Sequence, residues 1–392
     1  MNAVTAYLLG LITFLPTLLI QGLISRGAAH RWPRLRWLFY GVGAVPLILW
    51  IAGFPAFRGA FRAPTWLQFA AGFWLYAAVP AYFGYKLVEW SMRAVWRTPK
   101  RAPGAVEPVD MSRRDAIRTA SMAVAAVPVA VGLYGTFIER TNFGVQEVAA
   151  PIPNLPAELE GLRILQLSDV HRSPFLSQKL LTRVVDAAHE IRADLIFHTG
   201  DFISSKGDPI DDCLKELARL HGSGESFGCM GNHEVYAEAM DYLPPQAEKL
   251  GIQILQSSAR LLKWNGALIN IAGVDYQSFA DRKHYLQGTA SLVVPGAVNI
   301  LLSHNPDVFP LAARMGFDLT VSGHTHGGQV RTEILHQDVD LARVYTPFVA
   351  GLYRSGGRSC YVTRGIGSIG MPTRLGAPPE ITVLRLTRAE ST

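Results

Sequence analysis

Five short polar clusters stand directly behind apolar runs in the second half of this 392-residue chain. Leu167-Ser168 leads into Asp169-Val170-His171, and Phe197-His198-Thr199 leads into Gly200-Asp201. Cys229-Met230 leads into Gly231-Asn232-His233-Glu234, Leu302-Ser303 into His304, and Val321-Ser322 into Gly323-His324-Thr325-His326. In an open α/β sheet, groups just past the carboxyl ends of strands share one crevice, so the five clusters are expected to converge. Carboxylate, amide and imidazole without thiolate form a donor set for hard or borderline divalent ions such as Mn, Fe or Zn. Glycines before Asp201, Asn232 and His324 permit the tight turns that aim such side chains back over a sheet.

The order D-x-H, G-D, G-N-H-E, H, G-H-x-H resembles the calcineurin-like metallophosphoesterases over about residues 160 to 388. The run Gly323 to Gln329 and the tail segments Tyr361 to Gly365 and Arg374 to Glu380 resemble one branch of them, which holds membrane-attached or twin-arginine-exported bacterial phosphodiesterases. The resemblance implies a layered β-sandwich flanked by helices, four layers in the order α/β/β/α. It also implies two divalent metal ions. Asp169, His171 and His326 would hold the first, Asn232, His304 and His324 the second, and Asp201 would bridge them. His233 would stand outside the ligand set, where it stabilises developing charge or protonates the leaving oxygen. Two such ions clamp a phosphoryl oxygen and activate water for in-line attack. Ser204 takes a place where the family commonly has an acidic residue that is not a ligand.

The elements that must carry these residues are legible from about Gly161. Strand-like runs cover Leu162 to Leu167, Asp194 to His198, Ser226 to Met230, Val298 to Leu302 and Asp318 to Val321. Between them, Leu180 to Ile191 and Pro209 to Leu220 have helical period, with Pro209 in the first turn and Asp211 and Asp212 behind it. An α/β catalytic domain over residues 159–388 follows, preceded by a proline-bearing linker over residues 141–158.

Residues 1–140 have another texture. Met1 to Ser25, Trp37 to Phe57, Ala63 to Tyr85 and Thr119 to Ile138 contain no Asp, Glu, Lys or Arg. Each has about 20 residues or more, the length a helix needs to cross a bilayer core. Pro16, Pro46, Pro80 and Pro128 are tolerated in such spans. Trp32, Trp37, Trp66, Trp90 and Trp96 sit near span ends, where amphipathic rings favour the interface. The loop after the first span carries Arg26, Arg31, Arg34 and Arg36, and the 86–118 loop carries Lys86, Arg93, Arg97, Lys100, Arg101, Arg113, Arg114 and Arg118. Only Arg58 and Arg62 lie between the second and third spans. The positive-inside rule then predicts a multi-pass protein of the inner (cell) membrane with a periplasmic or external catalytic domain. Ser112-Arg113-Arg114 resembles a twin-arginine export signal with Ala116 where Phe is common, and as an ordinary basic cluster it sends the domain outward just the same.

Charged residues make up 17% of the chain, against roughly 25% in ordinary globular proteins, which excludes disorder and speaks against a wholly soluble protein. The net charge of +6 is spent largely between the apolar runs, so no nucleic-acid partner is expected. Cys213, Cys229 and Cys360 form no disulfide framework and no CxxC pair. His30, His189, His198, His221, His284 and His336 read as structural or solvated. Arg172, Arg331, Arg364 and Arg374 lie beside the motifs, where phosphate contact competes with ordinary ion pairing. The leading expectation is a membrane-anchored, two-metal phosphoesterase acting on a phosphorylated small molecule, a lipid or a lipid-linked phosphate. The alternatives are a UDP-2,3-diacylglucosamine pyrophosphatase, a non-catalytic sensor or scaffold, and a transporter. The absence of ionisable residues from the four apolar runs disfavours transport.

Overall fold

The computed structural model describes residue 26, residues 33–35, residue 37, residues 81–92, residue 94 and residues 111–389 apart from 221, 223, 335, 336 and 341. The chain divides into two compact units, Met1–Tyr134 and Gly135–Thr392. The expected spans Met1 to Ser25, nearly all of Trp37 to Phe57, and residues 63–80 of the third lie outside the described residues, as do His30, His221 and His336. Residues 81–92 are helical.

The fourth expected span is a helix, α1 (Met111–Phe137), with Pro128 inside it. Among the described residues, the stretch Asp115–Thr141, with an 18-residue window of mean hydropathy 1.8, is the one helix long and apolar enough to cross a membrane. Met122, Val124, Val127, Val131 and Leu133 on α1 are exposed. An unpaired apolar helix surface of this kind suits a lipid environment better than water.

The second unit is built on two six-stranded sheets. The first contains β1 (Gly144–Ile152), β2 (Arg163–Leu167), β3 (Leu195–Thr199), β4 (Ser226–Cys229), β5 (Ile252–Ile254) and β14 (Glu380–Arg388), in the order β1-β14-β2-β3-β4-β5. The second contains β6 (Ser258–Trp264), β7 (Ala267–Gly273), β8 (Val298–Leu302), β9 (Leu319–Ser322), β12 (Gly351–Ser355) and β13 (Arg358–Val362), in the order β12-β13-β9-β8-β7-β6. A hairpin of β10 (Arg331–Ile334) and β11 (Gln337–Asp340) stands apart.

Side chains of both sheets fill the space between them, among them Leu195, Phe197, Phe227, Ile271, Ile300, Leu302 and Val321. On the other face of the first sheet, Ile196 and Leu165 pack with α2 (Gln178–His189), α3 (Ile210–Leu217) and α5 (Leu243–Lys249) through Leu181, Val184, Leu214, Leu217 and Leu243. On the far face of the second sheet, α6 (Phe309–Met315) contributes Ala312 to a cluster with Ala272, Leu301 and Phe317. The layers are therefore α/β/β/α, as the resemblance implied. Strands buried on both faces explain why β3 and β8 read as continuous apolar runs rather than alternating ones. The buried Gln166 amide joins the two sheets, donating to Thr199 Oγ1 (2.8 Å) and to the Ser322 carbonyl (2.9 Å).

The segment expected as a linker is a strand. β1 pairs in parallel with β14 from Gly144↔Glu380 to Ile152↔Arg388 and buries Ala150 and Ile152. Its prolines do not prevent this, because an edge strand tolerates proline. Pro151 lies near the end of this edge strand, and Pro153 and Pro156 follow it. The folded unit thus begins before residue 141, not at residue 159.

His198 illustrates a cost carried by the core. Its ring is buried in β3 with neither nitrogen hydrogen-bonded, and burial pushes its pKa down to about 4. Between about pH 6.5 and 4 the unfolded chain takes up a proton that the folded chain refuses, so stability falls as pH drops through that window. The full penalty is about 3 kcal/mol. His198→Met is expected to flatten that part of the pH–stability curve, measured by urea unfolding; an unchanged slope would show that another group carries it.

Candidate metal centre

The carboxyl ends of β2, β3, β8 and β9, with the loop after β4, converge as expected. Asp169, His171 and Asp201 follow β2 and β3, His304 follows β8, and His324 and His326 follow β9. Asn232 and His233 open the short helix α4 (Asn232–Tyr236) behind β4. Asp169, His171, Asp201, His324 and His326 all have positive φ, between 47° and 75°. Left-handed backbone at non-glycine residues costs of order 1–3 kcal/mol each and persists only where the surroundings enforce it. Each reversal turns a side chain back over its strand end toward a common point. Two glycines make room. A Cβ on Gly231 would collide with the Asp201 carboxylate, and one on Gly323 with Ser168 and the Asp169 carboxylate.

Three sets of ligand atoms lie close enough together to hold an ion: Asp169, His171 and His326; Asp201, His304 and His324; and His171, Asp201 and His233. His171 Nε2 is 3.1 Å from His326 Nε2 and 3.4 Å from Asp201 Oδ2. His326 Nε2 is 3.4 Å from Asp169 Oδ1, and His304 Nε2 is 3.1 Å from Asp201 Oδ2. These separations match the edge of roughly 3.3 Å expected for a tetrahedron of ligands about 2.0–2.1 Å from an ion. Asn232 Oδ1, His233 Nε2, His304 Nε2 and His324 Nδ1 are buried without a hydrogen-bond partner. Buried polar atoms are rarely left so; those of Asn232, His304 and His324 fit a cation that would use their lone pairs, and His233 Nε2 is left free to hold a proton.

The surrounding bonds set which ring nitrogen faces inward. His304 Nδ1 donates to the Thr199 carbonyl (2.6 Å) and His233 Nδ1 to the Ser204 carbonyl (2.6 Å), so each presents Nε2 to the centre. His171 Nδ1 meets Ser204 Oγ at 3.1 Å. Burial works to raise the Asp201 carboxyl, yet His304 and His171 hold it well below the usual range. Burial would lower His304, but Asp201 beside it raises it to about 9. Burial raises the Asp169 carboxyl and lowers His233, and burial with neighbouring positive charge lowers His324 and His326. Neutral imidazoles are the form that binds metal.

All eight residues singled out from the sequence meet here: Asp169, His171, Asp201, Asn232, His233, His304, His324 and His326. His233 lies nearer the cluster than expected, its ring 4.6 Å from that of His171. Four further residues had no role assigned from the sequence. Ser204 orients both His171 and His233. Phe279 and Tyr276 wall the His324 side, with ring centroids 4.9 and 5.8 Å from its ring. Glu234 is fully buried and accepts backbone N–H groups from Asp201 (2.9 Å), Phe202 (2.8 Å) and Gly231 (2.8 Å), stapling two loops together. The motif contained Glu234, but only the fold shows what it holds. Glu234→Gln replaces one acceptor oxygen by a donor and strands at least one buried N–H. A loss of about 2–3 kcal/mol is expected in chemical unfolding; a variant as stable as wild type would remove the staple role.

Of the arginines beside the motifs, Arg172, Arg364 and Arg374 are held by groups of the protein itself. Arg172 bonds Gln178 and the carbonyls of Ser173 and Leu176. Arg364 pairs with Glu380 at 2.7 Å, and Arg374 is completely buried. The cysteines are buried and free.

The model of the calcineurin-like phosphoesterase family matches residues 162–328. The uncharacterized metallophosphoesterase YkuE of Bacillus subtilis is 30% identical over 291 residues, covering 70% of this chain and 98% of that one. A Danio rerio transmembrane protein with metallophosphoesterase domain is 29% identical over 67% of this chain, which spans 62% of that relative's length. Phosphodiesterase YaeI of Escherichia coli is 30% identical over 57% of this chain and 82% of its own. The chain belongs to the calcineurin-like phosphoesterase family. Relatives named as transmembrane proteins and the apolar helix α1 together suggest membrane association.

Proposed function

We propose that this protein is a membrane-anchored, metal-dependent phosphoesterase that hydrolyses a phosphodiester or pyrophosphate bond. The observation that supports this best is the convergence of buried, unpartnered ligand atoms on one point. Asp169, His171 and His326 would hold one divalent ion, Asn232, His304 and His324 a second, with Asp201 shared. Such ions polarise the phosphoryl oxygen and lower the pKa of water at the site. The chain's own residues supply the rest. Asp201 balances positive charge, the carbonyls of Thr199 and Ser204 hold His304 and His233 in register, and His233 Nε2 stands ready to pass a proton to the leaving oxygen. The name of the E. coli relative favours a diester over a monoester. A lipid or lipid-linked phosphate is the substrate class proposed, because an anchor keeps the site near a bilayer. The arginine and lysine distribution favours an extracytoplasmic catalytic domain, which disfavours a UDP-linked sugar lipid.

The full chain in detergent is expected to cleave bis-p-nitrophenyl phosphate, to lose that activity to a chelator, and to regain it with Mn, Fe or Zn. Full activity after exhaustive metal removal would sink the reading. Protease access in spheroplasts tests orientation: a protected catalytic domain would overturn the outward topology and revive the nucleotide-linked substrate.

A further inference from the structure

Among the described residues, Arg374 is the largest fully buried side chain, and the hydrolysis proposed for the centre does not use it. Its guanidinium donates to the carbonyls of Gly367 (Nε, 2.8 Å), Ala377 (Nη1, 3.0 Å) and Arg364 (Nη2, 2.8 Å). Nη2 also lies 3.3 Å from Nδ1 of His326, whose Nε2 faces the centre. A His326 ring that binds metal through Nε2 carries its proton on Nδ1, so Nη2 packs against that edge without a hydrogen bond, while the rigid fork holds the three loop carbonyls and, from Nη1 at 3.5 Å, the carbonyl of His326 itself.

The Arg374 backbone is held from outside the centre. Its N–H donates to the carbonyl of Gly135 (3.1 Å), in the last turn of α1. Beside it, Thr136 Oγ1 and Thr373 Oγ1 share a hydrogen bond of 2.6 Å. A Cβ on Gly135 would come within 2.6 Å of the Arg374 carbonyl oxygen, so this approach is open only to glycine. Arg140, just beyond the helix, anchors the same turn by donating to the Thr136 carbonyl (3.0 Å) and to that of Phe175.

We propose that Arg374 is the positioning residue for His326 and is itself set by the last turn of α1, so that the end of the apolar helix tunes one half of the metal centre. This rests on the metal-centre reading above. The link runs through one residue: Gly135 carbonyl to Arg374 N–H, then Arg374 guanidinium to the His326 backbone carbonyl. No comparable bond connects α1 with Asn232, His304 or His324 among the described residues. The effect is therefore selective for the ion that His326 holds. Partners outside the ligand set typically change metal affinity 10–100-fold when removed.

The test is Mn²⁺ binding to the full chain in detergent, by equilibrium dialysis with elemental analysis, alongside thermal melting. Wild type is expected to bind two equivalents. Arg374→Gln should weaken one of them by about 10–100-fold and leave the other unchanged. Arg374→Lys should recover little, since one ammonium cannot replace the fork. Gly135→Ala, outside the centre, should weaken the same equivalent by roughly tenfold. If it does not fold, Thr136→Val probes the same link with volume conserved and should act in the same direction. His304→Ala should remove the other equivalent and so identifies which is which. Two unaltered equivalents in the Arg374 and Gly135 variants would overturn the positioning role. Equal weakening of both equivalents with a lowered melting temperature would overturn it too, reducing Arg374 to general packing. A wild-type chain that binds no divalent ion would instead bring down the metal-centre reading itself.

Discussion

Asp201→Asn is expected to strip the centre of metal and reduce phosphodiester hydrolysis by about 10³-fold or more, the consequence of losing several kcal/mol of charge stabilisation. The carboxylate lies beside ligand atoms of both proposed sets. Oδ2 lies 3.4 Å from His171 Nε2 and 3.1 Å from His304 Nε2, while Oδ1 accepts the His233 backbone N–H at 2.9 Å. Asparagine keeps the shape and one acceptor oxygen but not the charge. Two cations about 3.5–4 Å apart repel strongly, and a shared anion is what offsets that repulsion. Metal content and activity should therefore fall together in the same preparation. Asp169→Asn, by contrast, touches one set and should cost one equivalent. An Asp201→Asn protein with wild-type metal content would show that the carboxylate is not shared.

His233→Ala is expected to lower turnover by roughly 10²–10⁴-fold, the usual contribution of a general acid, with metal content near wild type. Its Nδ1–H is committed to the Ser204 carbonyl, so any transferred proton must sit on Nε2. Burial pushes the imidazole pKa down, so the ring is mostly unprotonated until the negative charge of a phosphodiester beside it favours the protonated form. The deficit should shrink with p-nitrophenolate as leaving group, which scarcely needs a proton, and be largest with an alkyl diester. The closeness of His233 to His171 and Asp201 makes the metal measurement decisive. Loss of a metal equivalent in His233→Ala would make His233 a ligand. No change with an alkyl diester would leave it a structural residue.

Much of the second unit could be read from local pattern. The strands expected at Leu162, Asp194, Ser226, Val298 and Asp318 are all present, displaced by at most about one residue at their ends. They were legible because strands buried on both faces are uninterrupted apolar runs. β6, with its mostly half-exposed side chains, and the edge strand β1 gave no such signal. Register with β14, some 230 residues away, makes β1 a strand, and no local window contains that partner.

The chemistry of the site was a property of the sequence itself, because ligand type is written residue by residue: two aspartates, an asparagine and histidines behind strands. What only the tertiary structure decided is how those side chains are aimed. Left-handed backbone at Asp169, His171, Asp201, His324 and His326 depends on neighbours from other strands that enforce it. The inward nitrogens of His233 and His304 depend on carbonyls 29 and 105 residues distant. From the sequence, Arg374 could contact phosphate, with a solvated or ion-paired arginine the commoner case. It became neither, because the end of α1 and the loops after β9 and β13 close over it, and a guanidinium sealed from solvent can hold a ligand in place but cannot reach a substrate.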